Sequence, residues 1–370
     1  MTDKHGTDTL SRTSLLFVPI ATLQSETLRC LIKMASEQEE EQSNELVATV
    51  PPFFFLYKDG SVQRSPPGPL PAPSPEPNLD GVASKDLTLD AGLGLWARLF
   101  LPPSPPPPHK LPLVLYFHGG GFLFGSPAWN HGFCADMAKR SCSIWVSSSY
   151  RLAPENRLPA AFEDGFFALR WLHTQALLQI EDKGNLMDDW LARADFSRCF
   201  IAGESAGGNI AHHVVMQAMN RPLSSVVWEP ALHIQGLILI HPGFTHEERT
   251  QEELDCAQDM MLNWGLVDTC VGLAAPVGAN KDHPFINPLS EIASKEEAFV
   301  LPRTLVALAD KDALHYMVLE YIQALKDAGC SVDTVISQGV GHVFFTLQPE
   351  SEQARVLFER VSSFITETPV

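Results

Sequence analysis

The chain has no run of 18 or more apolar residues, so no segment of it reads as a membrane-spanning helix. Basic charge is scarce: 26 Lys and Arg stand against 44 Asp and Glu, a net charge of -18. Binding nucleic acid requires a basic face that displaces counterions from phosphate, and an anionic membrane makes the same demand, so neither partner is expected. The seven cysteines are odd in number, scattered, and include no Cys-x-x-Cys pair. That argues against both a disulfide framework and a zinc centre. No Asn-x-Ser/Thr acceptor and no His-Glu-x-x-His pattern occur. These absences point to a cytoplasmic protein without a resident metal or organic cofactor. The nucleus and an N-terminal targeting segment are left open, and the sequence is silent on oligomeric state.

What is present suits one large unit. A chain of 370 residues can bury most of its apolar surface without covalent staples. Residues 1–49 are expected to form a largely disordered extension. Its first 33 residues read as a dispensable or targeting segment ahead of a plausible start at Met34. The acidic run from Glu37 to Gln42 reads as solvated, and Pro-rich stretches at 65–77 and 102–108 read as loops. Phe53 to Arg64 predicts strand, turn, strand about Lys58-Asp59-Gly60, and Leu87 to Leu101 a second hairpin.

From residue 111 the pattern changes. Leu113–Phe117 is a continuous apolar run, as a strand buried on both faces requires. Further strands are expected at Ile144–Tyr150, Cys199–Ala202, Leu237–Ile240, Leu305–Leu308 and Val332–Ile336. Helical spacing appears at Ala160–Thr174, at His212–Met219, around His315–Lys326 and at Glu352–Phe364. This alternation predicts an α/β fold, a mostly parallel sheet flanked by helices. Residues 245–300 break the rhythm and are expected to cap the crevice at the carboxyl ends of the strands.

Three motifs carry chemistry. Gly203-Glu204-Ser205-Ala206-Gly207 lies between a predicted strand and a predicted helix, the setting of a nucleophile elbow. The bland alternative is a tight glycine turn with an idle serine. His118-Gly119-Gly120-Gly121-Phe122 follows another strand. Its glycines let backbone N–H groups approach a ligand, so Gly119, Gly120 and Gly121, with Ala206, are candidate oxyanion donors. No Gly-Lys-Ser/Thr ending supports a phosphate loop, and His118 reads as a structural residue.

The third motif is the pair that would activate the serine: an imidazole to take its proton and a carboxylate to fix the tautomer. In the order serine, acid, histidine, the loops after the last two predicted strands supply Asp310 or Asp312, and then His342. Position alone leaves the two aspartates open. His315 competes as base but should lie inside a helix. Of the other histidines, 131, 212, 213, 233, 241, 246 and 283 read as structural or surface residues.

These motifs together resemble plant carboxylesterases of the hormone-sensitive-lipase-like group, which is related to the gibberellin receptor. The stretches that carry the resemblance are PFFFLYKDGSVQR from Pro52, HGGGF at 118, SSYRLAPENRLPAAFED from Ser148, GESAGGNIAHH from Gly203, KDHPFINPLS from Lys281, DKDAL at 310 and GHVFF at 341. The resemblance spans about residues 50–366, the expected catalytic domain. It implies an α/β-hydrolase fold with an N-terminal lid and a cap insertion. It also implies Asp312 as the acid, because Ala313-Leu314 follow it, and hydrolysis of short- to medium-chain acyl or aryl esters without a cofactor. The group also holds a hormone receptor that lacks the histidine, and dehydratases that often carry threonine at the nucleophile. His342 and Ser205 favour an esterase over both.

Overall fold

The computed structural model describes residues 45–77, 81–103, 110–183, 187–220, 230–256, 261–293 and 301–367. The expectations for the extension before residue 45 and for residues 104–108 lie outside them. The chain divides into two compact units, residues 1–49 with Phe55–Gln63, and Val50–Phe54 with Arg64–Val370.

A small sheet has the order β1 (Leu46–Val50), β2 (Phe54–Tyr57), β3 (Val62–Arg64). The predicted turn at Lys58-Asp59-Gly60 is there. Gly60 takes φ of 84°, and the Asp59 carboxylate accepts the N–H of Ser61 at 2.8 Å.

The larger unit is built on eight strands: β4 (Ala83–Asp90), β5 (Leu95–Leu101), β6 (Leu111–Phe117), β7 (Ile144–Ser148), β8 (Ala194–Glu204), β9 (Ile234–Ile240), β10 (Arg303–Ala309) and β11 (Val332–Ser337). Their order is β11-β10-β9-β8-β6-β7-β5-β4. Pairing is parallel from β11 to β7, and the β4–β5 hairpin closes the far edge antiparallel. Alternation sorts the side chains. Val114, Tyr116, Phe200, Ala202, Ile238 and Ile240 enter one core with α1 (His131–Ser141) and α8 (Glu352–Thr366). Their neighbours Leu115, Phe117, Ile201 and Leu239 are equally buried, and α3 (Ala206–Asn220) packs against β6, β8 and β9 and also against α2 (Ala160–Ile180). Burial on both faces explains why every residue of Leu111–Phe117 is buried. Phe200 meets Phe364 edge-on at 6.2 Å, and truncating such a ring to alanine costs about 3–5 kcal/mol.

The described residues of 245–300 contribute three short helices, α4 (Gln251–Asp255), α5 (Trp264–Ala274) and α6 (Leu289–Ala293). A capping box between Thr250 and Glu253 starts α4, and the Asn263 side chain accepts the Leu266 N–H to start α5. Helix α7 (His315–Asp327) follows β10. The Pro-rich segment 65–77 has no regular structure but is fastened. Ser74 and Ser84 exchange hydrogen bonds, and the Pro71 carbonyl accepts from Arg98 at 2.7 Å.

The register decides where chemistry can gather. Phe117 pairs with both Gly203 and Ser148, Glu204 with Ile240, and Ala309 with Ser337. The loops after β6, β8, β10 and β11 therefore open on one edge of the sheet.

Candidate active site

Strand β8 ends at Glu204 and helix α3 begins at Ala206, which leaves Ser205 alone in the turn with φ of 50°. A residue with a Cβ is strained there, so the surroundings must hold it. Its N–H donates to Ile240, and its carbonyl accepts from Asn209 and Gly243. The turn tolerates no side chain on either flank. A Cβ at Gly203 would lie 2.1 Å from the Gly207 carbonyl oxygen, and one at Gly207 2.0 Å from that of Phe117. Buried Asn209 then ties the start of α3 to the carbonyls of Gly243 and Phe285, each at 3.0 Å.

The Ser205 hydroxyl meets His342 Nε2 at 2.8 Å, and His342 Nδ1 meets Asp312 Oδ2 at 2.7 Å. Asp312 Oδ1 accepts the Leu314 N–H at 2.9 Å. Asp312 and His342 are only 2% and 4% exposed. Burial alone would push the Asp312 carboxyl up. The charge and hydrogen bond of His342, with the nearby His241 and the Leu314 N–H, outweigh it and hold the carboxyl below its ordinary value. The competing residues are committed elsewhere. Asp310 accepts the Gly339 N–H at 2.6 Å, and His315 Nδ1 pairs with the Ala309 carbonyl at 3.0 Å.

The glycine loop after β6 lies alongside. Gly120 takes φ of 108°, and a Cβ there would sit 2.1 Å from the Phe124 carbonyl oxygen. The N–H groups of Gly120, Gly121 and Ala206 meet no acceptor among the described residues. Gly119 stands apart from the other three candidate donors, because its N–H is turned to Glu204 Oε1 at 3.3 Å. His118 is buried against Tyr150, the ring centres 4.4 Å apart, and the Tyr150 hydroxyl donates to the His118 carbonyl. Burial lowers the His118 pKa to about 4, so it is a neutral prop for the loop. Arg64 clamps the far side, donating to the carbonyls of Leu123 and Ala153 and to both carboxylate oxygens of Glu155.

A family model described as an alpha/beta hydrolase fold matches residues 114–346. The chain belongs to the α/β-hydrolase family. It is 38% identical over 309 residues to probable carboxylesterase 6 of Arabidopsis thaliana, covering 82% of this chain and 85% of that one. It is 32% identical over 340 residues to the 2-hydroxyisoflavanone dehydratase of Glycyrrhiza echinata, covering 90% and 100%. Among solved structures, a hyperthermophilic esterase from the archaeon Pyrobaculum calidifontis superposes with a TM-score of 0.63 at 26% identity, over 76% of this chain and 85% of that one.

Two residues of this α/β-hydrolase site escaped the sequence reading. Glu204 appeared only as the variable position of its motif. It is buried, and its carboxylate accepts from Asn130 Nδ2 at 2.6 Å. Burial raises its pKa against the opposing hydrogen bonds of Asn130 and Gly119. His241, read as structural or surface, is fully buried with Nδ1 3.9 Å from Asp312 Oδ2. His241, Asp312 and His342 offer donor atoms within 4.8 Å of one another, a spacing that could hold a cation. Those atoms are already engaged. Asp312 Oδ2 takes His342, and His241 Nδ1 takes the Val343 N–H at 2.8 Å.

Ser205 and His342 open on a cavity of about 450 Å³. Its floor is the glycine loop and the elbow. Val50 to Phe53, Leu266 and Val267 of α5, and Leu347 wall it with apolar surface. Among the described residues, Glu204 and His342 are its ionisable side chains apart from the thiol of Cys270. Such a cavity suits a neutral, largely apolar small molecule.

Proposed function

We propose that the chain is a serine carboxylesterase acting on short- to medium-chain acyl or aryl esters through an acyl-enzyme. The observation that carries this reading is the unbroken line Ser205–His342–Asp312 at the floor of an apolar cavity. Ser205 Oγ attacks the ester carbonyl carbon while His342 Nε2 takes its proton. The carbonyl oxygen becomes an oxyanion beside the N–H groups of Gly120, Gly121 and Ala206. Asp312 holds the Nδ1–H tautomer and stabilises the imidazolium. His342 returns the proton to the departing alcohol, then draws one from water, which releases the acid and restores Ser205. One oxyanion donor of this kind is worth about 100- to 1000-fold in rate. The relatives named as carboxylesterases support the same chemistry.

A fluorophosphonate should label Ser205, and Ser205→Ala should abolish both labelling and hydrolysis of p-nitrophenyl butyrate. Full labelling of the alanine protein would remove Ser205 from the role. A second reading is dehydration of a hydroxylated ring substrate, supported by the dehydratase among the relatives. Water loss from 2-hydroxyisoflavanone without release of an acid would favour it. Cytoplasmic residence belongs to this proposal as well. Among the described residues Cys134, Cys142, Cys199 and Cys270 carry free thiols, which suits a reducing compartment, and cell fractionation tests it.

A further inference from the structure

His342 sits on a loop after the edge strand β11, and a base must be held to a few tenths of an ångström to serve a serine. Asp312 grips one ring nitrogen. The backbone of the loop needs its own anchor, because the next residue, Val343, lies in the left-handed region at φ of 44°. Its N–H is not turned to a helix or strand. It points at His241 Nδ1, 2.8 Å away.

His241 is itself tightly placed. It is fully buried at the end of β9 with φ of 47°, and its N–H donates to the Ala307 carbonyl of β10 at 2.8 Å. Its ring packs against Phe344 and Phe345, the centres 5.8 and 6.0 Å away, and lies 5.8 Å from the ring of His342. The ionisable groups that face it are Asp312 and His342.

We infer that His241 is a positioning residue for the reaction: a neutral imidazole whose Nδ1 accepts the Val343 N–H and so fixes His342 between Ser205 and Asp312. The inference rests on the triad reading above and adds a fourth member to it. Accepting at Nδ1 requires that nitrogen to be unprotonated. Burial supplies this condition, lowering the His241 pKa to about 3 against the pull of Asp312. Neutrality has a second effect. A positive His241 3.9 Å from Asp312 would compete with the imidazolium of His342 for that carboxylate.

Two variants of similar polarity separate the role from mere packing. In His241→Asn the side-chain oxygen can occupy the place of Nδ1, and asparagine accepts a positive φ. In His241→Gln the amide reaches the place of Nε2 and leaves Val343 without an acceptor. With p-nitrophenyl butyrate, the Asn protein should keep kcat within about threefold of the parent. The Gln protein should lose about 10- to 100-fold in kcat, with KM within about twofold and the acid limb of its rate profile displaced, as a slightly misplaced base predicts. Equal kcat in the two variants, or a Gln protein with parental kcat and pH profile, would overturn the inference. Ser205→Ala is assayed beside them. Its residual activity reports on the triad reading, and the Asn–Gln contrast reports on His241. If Gln destabilises the fold, the Asn protein still tests the inference: it restores an acceptor at the Nδ1 place, so a kcat more than about tenfold below the parent, or a displaced acid limb, would overturn it.

Discussion

The floor and the roof of the cavity are built by different physics. The floor hangs on four strand ends, and its polar groups are hydrogen-bonded to backbone at nearly every turn: Ser205 to Ile240, Asp312 to Leu314, Val343 to His241. The roof segment 245–300 presents Leu266 and Val267 to the cavity and is fastened by charged pairs. Arg249 stacks on Trp264 at 4.2 Å and pairs with Asp268, which also meets Lys281 at 3.1 Å. Asp268 is 43% exposed, so these pairs are worth at most about 1 kcal/mol each. The floor is over-determined because the reaction tolerates little displacement. The roof needs only to exclude water and match a shape. Chemistry should thus be sensitive to floor substitutions in kcat, and recognition to roof substitutions in KM.

The largest effect that could break this contrast comes from the acid. Asp312→Asn should lower kcat by about 10,000-fold, because the amide favours the wrong tautomer of His342. Asp310→Asn, which alters only the turn at Gly339, should keep most activity. The reverse ranking in steady-state assays would transfer the acid to Asp310 and undo the floor as described.

Acid pH should strike the floor next. His118 and His241 are buried neutral with pKa lowered to about 4 and about 3, against 6.5 for the free side chain. Between pH 6.5 and about 4 the unfolded chain binds protons at these positions and the folded chain does not. Stability is therefore complete above pH 6.5 and falls as pH drops, by about 1.4 kcal/mol per pH unit for each group. Glu204, raised by burial, acts in the opposite sense at low pH. Melting temperature recorded from pH 7 to pH 4 should fall steadily; a flat profile would show that these imidazoles charge without opening the fold.

The smallest effect belongs to the roof. Leu266→Ala removes apolar surface from the cavity wall and should raise KM for an aryl ester by about 3- to 30-fold, with kcat nearly unchanged. A fall in kcat at constant KM would mean that the roof also positions the reacting groups.

The sequence made the floor legible where a single local pattern carries a residue. The elbow needs Gly203 and Gly207 two residues either side of Ser205, and a strand and a helix flank it, so it could be read from one stretch. Asp312 and Asp310 could not be separated by position, because both follow β10; only the fold turns one inward to His342 and the other to Gly339. His241 was invisible for a different reason. It meets Val343 across 102 residues of chain, through the pairing of β9 with β10 rather than through any motif. Helix α1 was also missed. Its N-terminal Asn130 makes no capping bond; its Nδ2 donates instead to Glu204 and Tyr116, so the usual start signal carries another duty. Strand β8 begins at Ala194 rather than Cys199, since the polar residues at its start gave no apolar run.

The order of the sheet also has a meaning in time. A ribosome delivers Ser205 and its elbow well before it delivers His342, 137 residues later, and His342 rides on the loop after β11, which among the described residues pairs with β10 alone. On the proposed triad, until that last strand docks the serine has a hydroxyl and no base. A growing chain is then an inert chain, and its reactivity switches on as a final act of assembly.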